Sequence, residues 1–288
     1  MIWPIPPRSR KSIARLEVTG AIGAATRKRV LEALKTIEER KFPALLLRID
    51  SPGGTVGDSQ EIYTALRRLQ EKVKIVASFG NISASGGVYI GMGANHIMAN
   101  PGTITGSIGV ILRGNNLERL LERVGVSFKV IKSGPYKDIL AFDRELTDEE
   151  KVILQELIDI SYGQFVKTVA EARRLTEDTV RSFADGRIFT GEQAVSLGVV
   201  DRLGSEEDAR RWTAELAGLD PDKAECITIG EKKGGLRRLL PGSSEGQVNR
   251  IHPALAAAGL SPETVSATLD WIAFEQSTSG LPLWLYRP

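Results

Sequence analysis

The chain has 288 residues, of which 42% are hydrophobic and 26% charged, a composition typical of a globular protein. Its formal net charge of +2 is too small to indicate nucleic acid or an anionic membrane surface as a partner. The single cysteine excludes an internal disulfide, two histidines give no basis for a histidine-rich metal site, and we expect no metal or other cofactor.

The sequence predicts no segment that crosses a membrane. No apolar run approaches the roughly 20 residues that a spanning helix needs. Residues 1–8 contain prolines and lack an apolar stretch long enough for a signal peptide. We therefore expect a chain that is soluble or attached to a membrane only peripherally.

The first half of the chain predicts an α/β fold. The continuous apolar run at 44–49 is typical of a parallel strand that is covered on both faces. Strands alternating with amphipathic helices at these spacings predict a mostly parallel sheet with crossover helices. We assign strands to 13–18, 44–49, 73–78, 96–99, 105–112 and 127–131, and helices to 24–40, 58–69, 117–124 and a segment that begins at Ser85.

From Thr147 onward the pattern is mainly helical. Thr147-Asp-Glu-Glu150 is a capping-box sequence, so a long helix should follow it to about residue 172. Shorter helices are predicted at 176–184, 190–197 and 206–217, with a last strand at 199–201.

The chain divides by composition into three parts. Residues 231–246 are rich in glycine, serine and charge, which is typical of an exposed linker. An alanine-rich helix is expected beyond residue 251. We therefore predict an N-terminal extension at 1–11, one compact domain at 12–218, and a C-terminal part at 219–288 that holds a strand, the basic linker and the tail helix.

Ser85 is the candidate nucleophile. It lies in Asn81-Ile-Ser-Ala-Ser-Gly-Gly-Val-Tyr89, between a predicted strand and a predicted helix. The two glycines after Ser85 clear space around its hydroxyl, and the N–H of Gly86 can donate to an oxyanion there. The same small-residue cluster also fits a tight contact between packed helices, so this segment alone leaves both interpretations open.

A second glycine turn follows the strand at 44–49. Gly53 and Gly54 leave backbone N–H groups uncovered, and Gly54 can supply a second oxyanion donor. A phosphate-binding loop is the alternative, but neither Gly-Lys-Ser/Thr nor G-x-G-x-x-G occurs at this turn. An ordinary tight turn also stays open.

Lys137, in Ser133-Gly-Pro-Tyr-Lys137, is the candidate general base. A free lysine has a pKa of about 10.4 and is protonated at neutral pH, so a lysine base must be desolvated. Most lysines are solvated surface charges, and the flanking sequence permits burial without requiring it. Ser107 can hydrogen-bond a neutral lysine amine, or it is a plain strand-edge serine. His96 and His252 are more readily explained as structural or surface residues.

Several motifs together resemble the signal peptide peptidase A family, in that family's order and close to its spacing. The resemblance covers roughly residues 12 to 215. Within this range it includes the later segments Asp185-Gly-Arg187 and Gly191-Glu-Gln-Ala194. The main motifs are Asp50-Ser-Pro-Gly-Gly54, Ser83-Ala-Ser-Gly-Gly87, Asn100-Pro-Gly-Thr-Ile-Thr-Gly-Ser-Ile-Gly-Val110 and Ser133-Gly-Pro-Tyr-Lys-Asp138.

The resemblance implies a fold of the Clp protease/crotonase group, with ββα units around a compact core, and a serine endopeptidase. It implies Ser85 as nucleophile and Lys137 as base. Gly54 and Gly86 then donate to the oxyanion, and Ser107 orients the lysine. The expected substrates are hydrophobic peptides such as those left after signal-peptide release.

The resemblance also implies a homo-oligomer. Long members of the family carry two tandem copies of the fold, whereas this chain has one. In short members, neighbouring subunits of a ring contribute the serine and the lysine. A monomer of this chain is therefore expected to be inactive.

Two other interpretations fit parts of the sequence. A Clp-type triad needs a histidine about 25 positions after the serine, but Val110 stands there; a crotonase-like acyl-CoA enzyme needs no serine nucleophile. From a different class, a catalytically silent oligomeric scaffold at the membrane fits the aromatic residues at the chain ends, which can anchor at an interface or cover a neighbouring subunit. These residues are Trp3, Trp271, Trp284 and Tyr286.

Overall fold

A computed structural model describes residues 9–230 and 283–285. Its first part contains β1 (Ser12–Thr19), α1 (Ala24–Glu39), β2 (Ala44–Ser51), β3 (Gly53–Thr55), α2 (Val56–Leu69), β4 (Lys74–Ala84), α3 (Gly86–Gly91), β5 (His96–Ala99) and β6 (Ile104–Gly106). The remainder contains α4 (Glu118–Arg123), α5 (Asp148–Arg173), α6 (Glu177–Arg181), β7 (Ile188–Thr190), α7 (Gly191–Ser196), β8 (Arg202–Leu203), α8 (Glu206–Leu216), β9 (Glu225–Thr228) and β10 (Leu283–Leu285).

The main sheet is mostly parallel, as predicted. Its strands follow the order β7-β6-β4-β2-β1-β9, and β5 pairs with β4 and β8. The β6–β7 pair is antiparallel. The pairs β1–β2, β1–β9, β2–β4, β4–β5 and β4–β6 are all parallel. The alternation of strands and crossover helices therefore predicted the correct class.

Both faces of the sheet are covered, which explains the continuous apolar runs in its central strands. On one face, Leu45, Leu47 and Ile75 join the larger apolar core with residues of α1, α2 and α5. On the other face, Leu46 and Val76 pack with Trp212 of α8. Successive residues of one strand thus enter opposite cores, because strand side chains alternate between faces.

β4 is longer than its predicted range of 73–78 and brings the chain to Ser85. After Ile49 the β2–β4 register shifts, so that Ser51 pairs with Ser83. Asp50 stabilises this step, since its carboxylate accepts from the N–H of Ile82 at 3.1 Å and from the N–H of Asn81 at 3.3 Å. The far end of β4 then pairs with β6.

Some sequence predictions are wrong. Residues 127–131 form no strand, because β-propensity needs a pairing partner and none lies beside them within the part of the chain described. The predicted strand at 105–112 shrinks to β6, and that at 199–201 is replaced by β8 two to three residues later. β3 was predicted as a turn and is a short strand. The proposed linker at 231–246 and tail helix from 251 lie outside the described residues, and the three-part division of the chain stays a prediction.

The long helix α5 begins as the capping box predicts. Thr147 accepts a hydrogen bond from the N–H of Glu150 at 3.2 Å, and the Glu150 carboxylate accepts from the N–H of Thr147 at 3.0 Å. Within the described ranges, no helix has both the length and the apolar character needed to cross a bilayer.

Candidate active site

Ser85 occupies a strained turn between β4 and α3. Its backbone has φ 53° and ψ −115°, in the positive-φ region that residues with a Cβ rarely adopt. Its N–H donates to the carbonyl of Gly106 at 2.8 Å, and its carbonyl accepts from the N–H of Tyr89 at 3.0 Å. The neighbouring strand and the helix thus hold the strained conformation from both sides.

The hydroxyl of Ser85 is buried without a partner. Ser85 is 1% exposed, and its Oγ has no hydrogen-bond partner among the described residues. Buried polar atoms in folded proteins are nearly always paired, so an orphaned hydroxyl on a strained residue indicates a functional role.

The two glycines after Ser85, Gly86 and Gly87, contribute to the site in different ways. Gly86 provides the first amide of α3, which has no acceptor inside the helix. A Cβ on Gly87 would lie 3.0 Å from the carbonyl oxygen of Ser51. The predicted donor at Gly86 therefore adjoins Ser85, and Gly87 lets α3 approach the turn that leads into β3.

Gly54 lies in β3, beside α3. The Ser51 hydroxyl positions this strand by accepting from the N–H of Gly53 at 3.1 Å and donating to the carbonyl of Gly20 at 2.6 Å. A Cβ on Gly54 would lie 1.9 Å from the carbonyl oxygen of Ile22. Only glycine fits here, because the backbone of the β1–α1 connection packs directly on the strand.

Ser107 follows β6 and is half-buried. Its φ is 51°, and its N–H donates to the carbonyl of Arg187 at 2.7 Å. Together with Val110, Ile158 and Tyr162 it lines an open cavity of about 450 Å³. Because β6 pairs with the end of β4, Ser107 and Ser85 lie on adjacent strand ends.

Lys137 lies on an exposed segment, residues 111–147, which we call the arm. Lys137 itself is exposed, and it forms no ion pair with any residue in the described part of the chain. The Ser85 hydroxyl has no hydrogen-bond partner among the described residues, and Lys137 is one of these, so the two side chains are not in hydrogen-bond contact within one chain. The structure thus places Ser85, Gly86 and Ser107 just after the paired ends of β4 and β6, with Gly54 in β3 beside α3. Lys137 lies on the arm, out of hydrogen-bond contact with the Ser85 hydroxyl.

The arm is held to α5 through the residue after Lys137. Arg144 donates to Asp138 at 2.9 Å and to Glu150 at 2.5 Å, and Lys132 donates to Asp138 at 2.6 Å. The hydrogen bond from Arg144 lowers the pKa of Glu150 to about 2, and the bonds from Arg144 and Lys132 hold the pKa of Asp138 well below its usual range. We call Asp138, Arg144 and Glu150 the arm clamp.

Sequence reasoning missed the arm clamp, although two signals were present. Asp138 directly follows Lys137, and Glu150 is the third helical residue of the capping box. Glu150 is 1% exposed, which is rare for a carboxylate unless it is paired. A buried acid at a helix start therefore signals a basic partner nearby.

His96 has a structural position. Its ring lies 4.7 Å from that of Trp212, in the apolar layer between the sheet and α8. Burial lowers the pKa of His96. The interpretation of His96 as structural is consistent with this packing, and His252 lies outside the described residues.

Solved structures share this fold. A mutant of the 1510-N membrane-bound stomatin-specific protease aligns with a TM-score of 0.51 and 15% identity, over 76% of this chain and 97% of that one. A mutant of ClpP1 from Listeria monocytogenes aligns with a TM-score of 0.49 and 16% identity, over 68% of this chain and 93% of that one. The predicted α/β fold of the Clp protease group is confirmed.

Sequence comparison supplies the family. Residues 67–220, more than half of the chain, match the model of peptidase family S49, so the chain belongs to peptidase family S49. A relative from Synechocystis sp., slr0021, is named as a protease and is 68% identical over all of both chains. A relative from Enterococcus faecium named signal peptide peptidase SppA is 38% identical over 70% of this chain and 62% of its own, and Protease 4 of Salmonella typhi is 34% identical over 81% and 38%.

The family resemblance inferred from the motifs is therefore confirmed, and so is the serine peptidase class. The chain spans less than two thirds of the Enterococcus and Salmonella relatives, and all of the Synechocystis one.

Proposed function

We propose that the protein is an endopeptidase in which Ser85 of one copy and Lys137 of a neighbouring copy form the catalytic dyad. The buried, unpartnered hydroxyl of Ser85 on its strained turn is the observation that carries this proposal. We expect this of a nucleophile whose base belongs to another copy of the chain. Lys137, which is exposed on the arm, supplies the base of the dyad to a neighbouring copy.

The surface of the arm supports assembly with another copy. Leu120, Val124, Val130 and Ile131 are each at least half exposed, and Ile131 is fully exposed. Contiguous exposed apolar side chains on a folded protein indicate an interaction surface. Packing this surface against a second copy would also remove Lys137 from water, which favours the neutral amine that a base requires.

The proposed chemistry follows from these positions. The neutral amine of Lys137 accepts the proton of Ser85 while Oγ attacks the substrate carbonyl, and the N–H groups of Gly54 and Gly86 donate to the oxyanion. Each such donor typically contributes about 10²–10³ in rate. Lys137 then protonates the leaving amine, and water, deprotonated by Lys137, releases the acyl group. Ser107 orients the amine by a hydrogen bond.

The preferred substrates are proposed to be extended apolar peptides, remnant signal peptides among them. The cavity beside Ser107 is lined by Val110, Ile111, Ile158 and Tyr162, with Asp159 and Asp185 at its polar part. Apolar peptide side chains can be buried there, whereas acidic ones would meet carboxylates. A leucine-rich peptide should therefore be cleaved faster than an acidic peptide of equal length, and equal rates would contradict this preference.

A mixing experiment tests the dyad. Ser85→Ala and Lys137→Ala should each abolish peptide cleavage. If neighbouring copies share each site, a co-refolded equal mixture of the two variants should regain about a quarter of wild-type turnover. A site is intact only when the copy that contributes the serine is Lys137→Ala and the neighbour that contributes the lysine is Ser85→Ala. In an equal mixture, both conditions hold for about one site in four. A mixture that stays inactive would contradict sharing between copies.

Covalent labelling separates the proposal from its alternatives. A fluorophosphonate probe should label the wild type at Ser85 and leave Ser85→Ala unlabelled. A crotonase-like enzyme or a silent scaffold predicts no labelling of either protein. The scaffold hypothesis also predicts binding to liposomes, which a flotation assay measures; its anchoring residues Trp3, Trp271 and Tyr286 lie outside the described residues.

A further inference from the structure

The motif Asp185-Gly-Arg187 forms a turn immediately before β7. The Oδ1 of Asp185 accepts from the backbone N–H of Arg187 at 3.1 Å and from its Nε at 2.8 Å, and Oδ2 accepts from Nη2 at 2.6 Å. These bonds lower the pKa of Asp185 to about 2, so its carboxylate is ionised at neutral pH. One side chain thus binds both the backbone and the guanidinium of Arg187, across a glycine with φ 88°.

The backbone of Arg187 faces Ser107. In a hydrogen-bonded antiparallel pair, two facing residues normally exchange two backbone bonds. Here the carbonyl of Arg187 accepts from the N–H of Ser107 at 2.7 Å, whereas the N–H of Arg187 donates to Asp185. A further bond, from the N–H of Gly186 to the carbonyl of Ile108 at 3.2 Å, joins the turn to the same segment. The Asp185 side chain therefore replaces the reciprocal bond and fixes the direction of the Arg187 carbonyl.

One peptide group connects this turn to the candidate nucleophile. The carbonyl of Gly106 accepts from the N–H of Ser85 at 2.8 Å, and the N–H of Ser107 belongs to the same peptide unit. In a trans peptide the carbonyl and the N–H point in opposite directions, and no peptide bond among the described residues is cis. The Arg187 carbonyl, the 106–107 peptide and the N–H of Ser85 therefore form one continuous chain of hydrogen bonds, in which each bond polarises the next.

This chain of hydrogen bonds passes through a backbone conformation that needs support. Ser107 has φ 51°, which residues with a Cβ rarely adopt. A Cβ on Gly106 would lie 2.9 Å from the carbonyl oxygen of Arg187, so the two backbones are in close contact. Conformations of this kind persist only where neighbouring structure imposes them. On the side away from Ser85, that structure is the turn at 185–187.

We propose that Asp185 is a positioning residue for the nucleophile: it fixes the Arg187 carbonyl, and through the 106–107 peptide it holds the backbone of Ser85. Asp185 acts through the backbone, since the Ser85 hydroxyl has no hydrogen-bond partner among the described residues. The role rests on the proposed function of Ser85, whereas the link from Asp185 to Ser107 rests on hydrogen bonds alone. Without the Asp185 acceptor, the 106–107 peptide can rotate and the Ser85 hydroxyl is less often oriented for attack.

Three variants test this role. Asp185→Ala removes the acceptor, whereas Asp185→Asn keeps Oδ1 for the N–H of Arg187. Asp220→Ala is the matched control, because Oδ1 of Asp220 accepts from the N–H of Asp222 at 3.0 Å and its Oδ2 pairs with Lys223. We expect kcat for a leucine-rich peptide to fall about tenfold in Asp185→Ala with no increase in KM, and to stay within about threefold of wild type in Asp185→Asn. Asp220→Ala should match the wild type.

The kinetic outcomes separate positioning from other roles. Asp185 also borders the cavity proposed for substrate, so a raised KM with unchanged kcat would show that it acts on binding and would overturn the proposal. A loss in Asp185→Asn as large as that in Asp185→Ala would show that the charge acts, which would also overturn it. A small fluorophosphonate need not fill this cavity. Its rate of labelling Ser85 should therefore fall by the same factor as kcat, and an unchanged rate would contradict positioning.

Amide hydrogen exchange tests the chain of hydrogen bonds without catalysis. In the full chain with Ser85→Ala, the Ser107 amide should exchange faster once Asp185→Ala is added, and adding Asp220→Ala should leave it unchanged. Unchanged exchange in both would overturn the link. Faster exchange together with an unchanged kcat would overturn the positioning role. Absence of both turnover and probe labelling in the wild type would overturn the proposed function and the role at Ser85, while the exchange result would still decide the link between Asp185 and Ser107.

Discussion

At the scale of single residues, the site depends on backbone conformations that cost free energy. Ser85 combines positive φ with a ψ near −115°, and Ser107 also has positive φ. Residues in sparsely populated backbone regions each cost about 1–3 kcal/mol and persist where the surrounding structure imposes them. At Ser85, the pairing of β4 with β6 and the start of α3 impose the conformation, so a serine is retained at a position that favours glycine.

This strain predicts an order of stability among inactive variants. Ser85→Gly should be more stable than Ser85→Ala by about 1 kcal/mol, because glycine relieves the strain and alanine does not. At Ser59, a buried helical residue, the order should reverse by about 0.5–1 kcal/mol, because glycine weakens helices. Urea unfolding of the four variants measures both differences, and equal stability of the two Ser85 variants would contradict the strain.

At the scale of elements, the arm clamp connects the arm to the body. Arg144 bonds Asp138 and the buried Glu150, so the segment with Lys137 is tied to the first turn of α5. α4 has no buried residue of its own. Charged hydrogen bonds therefore help to fix the position of Lys137.

The arm clamp predicts a dependence on acid. The pKa of Glu150 is lowered to about 2 and that of Asp138 is also held well below its usual range, so the stabilisation is complete above about pH 5 and is lost as the pH falls toward 2. Arg144→Gln should therefore lower the protection of residues 132–150 from hydrogen exchange at pH 7, and the difference from wild type should shrink as the pH approaches 2.

An exposed ion pair provides the control for this titration. Arg181 and Glu177 form an i,i+4 pair at 3.4 Å on α6, with both side chains more than 40% exposed. Arg181→Gln should leave exchange in the arm unchanged at every pH, because such pairs contribute little. A pH-independent effect of Arg144→Gln would show that Arg144 acts by packing and would contradict the electrostatic interpretation.

At the scale of the whole molecule, a well-packed body contrasts with an exposed apolar arm. The two cores on either side of the sheet are closed, whereas α5 also exposes Val152, Ile153 and Ile160. The arm and α5 are the region that carries most of the exposed large apolar side chains among the described residues. An assembly that buries this region would complete both the hydrophobic burial and, by the proposal above, the catalytic site.

A charge placed on the arm tests this dependence. Ile131→Asp should shift the protein toward smaller species in size-exclusion chromatography and lower turnover at least tenfold, since an unpaired charge opposes burial. Leu203→Asp alters an apolar side chain that is 40% exposed on the body and should leave both measurements unchanged. If Ile131→Asp keeps the wild-type size and turnover, the arm is not the assembly surface.

Much of this organisation was readable from local patterns. The apolar run of β2 and the Thr147 capping box each place an element correctly, and the Ser85-Gly-Gly cluster lies at a junction of strand and helix as predicted. Each of these patterns depends on interactions within a few residues. The prediction of a strand at 127–131 is wrong for the opposite reason. Its apolar residues have strand propensity, but no strand of the described residues pairs with them, and they remain exposed.

Hydrophobic periodicity and short motifs are local properties of the chain, and they were enough to predict the α/β class, the parallel sheet and the family. The packing of the folded chain was needed to show that Ser85 is strained and has no hydrogen-bond partner among the described residues. It also showed that Gly54 must be glycine because Ile22 packs on it, and that Arg144 joins Asp138 to Glu150. The same holds for the 106–107 peptide that links Arg187 to Ser85. These relations join residues far apart in sequence, and long-range pairing is set by the packing of whole elements.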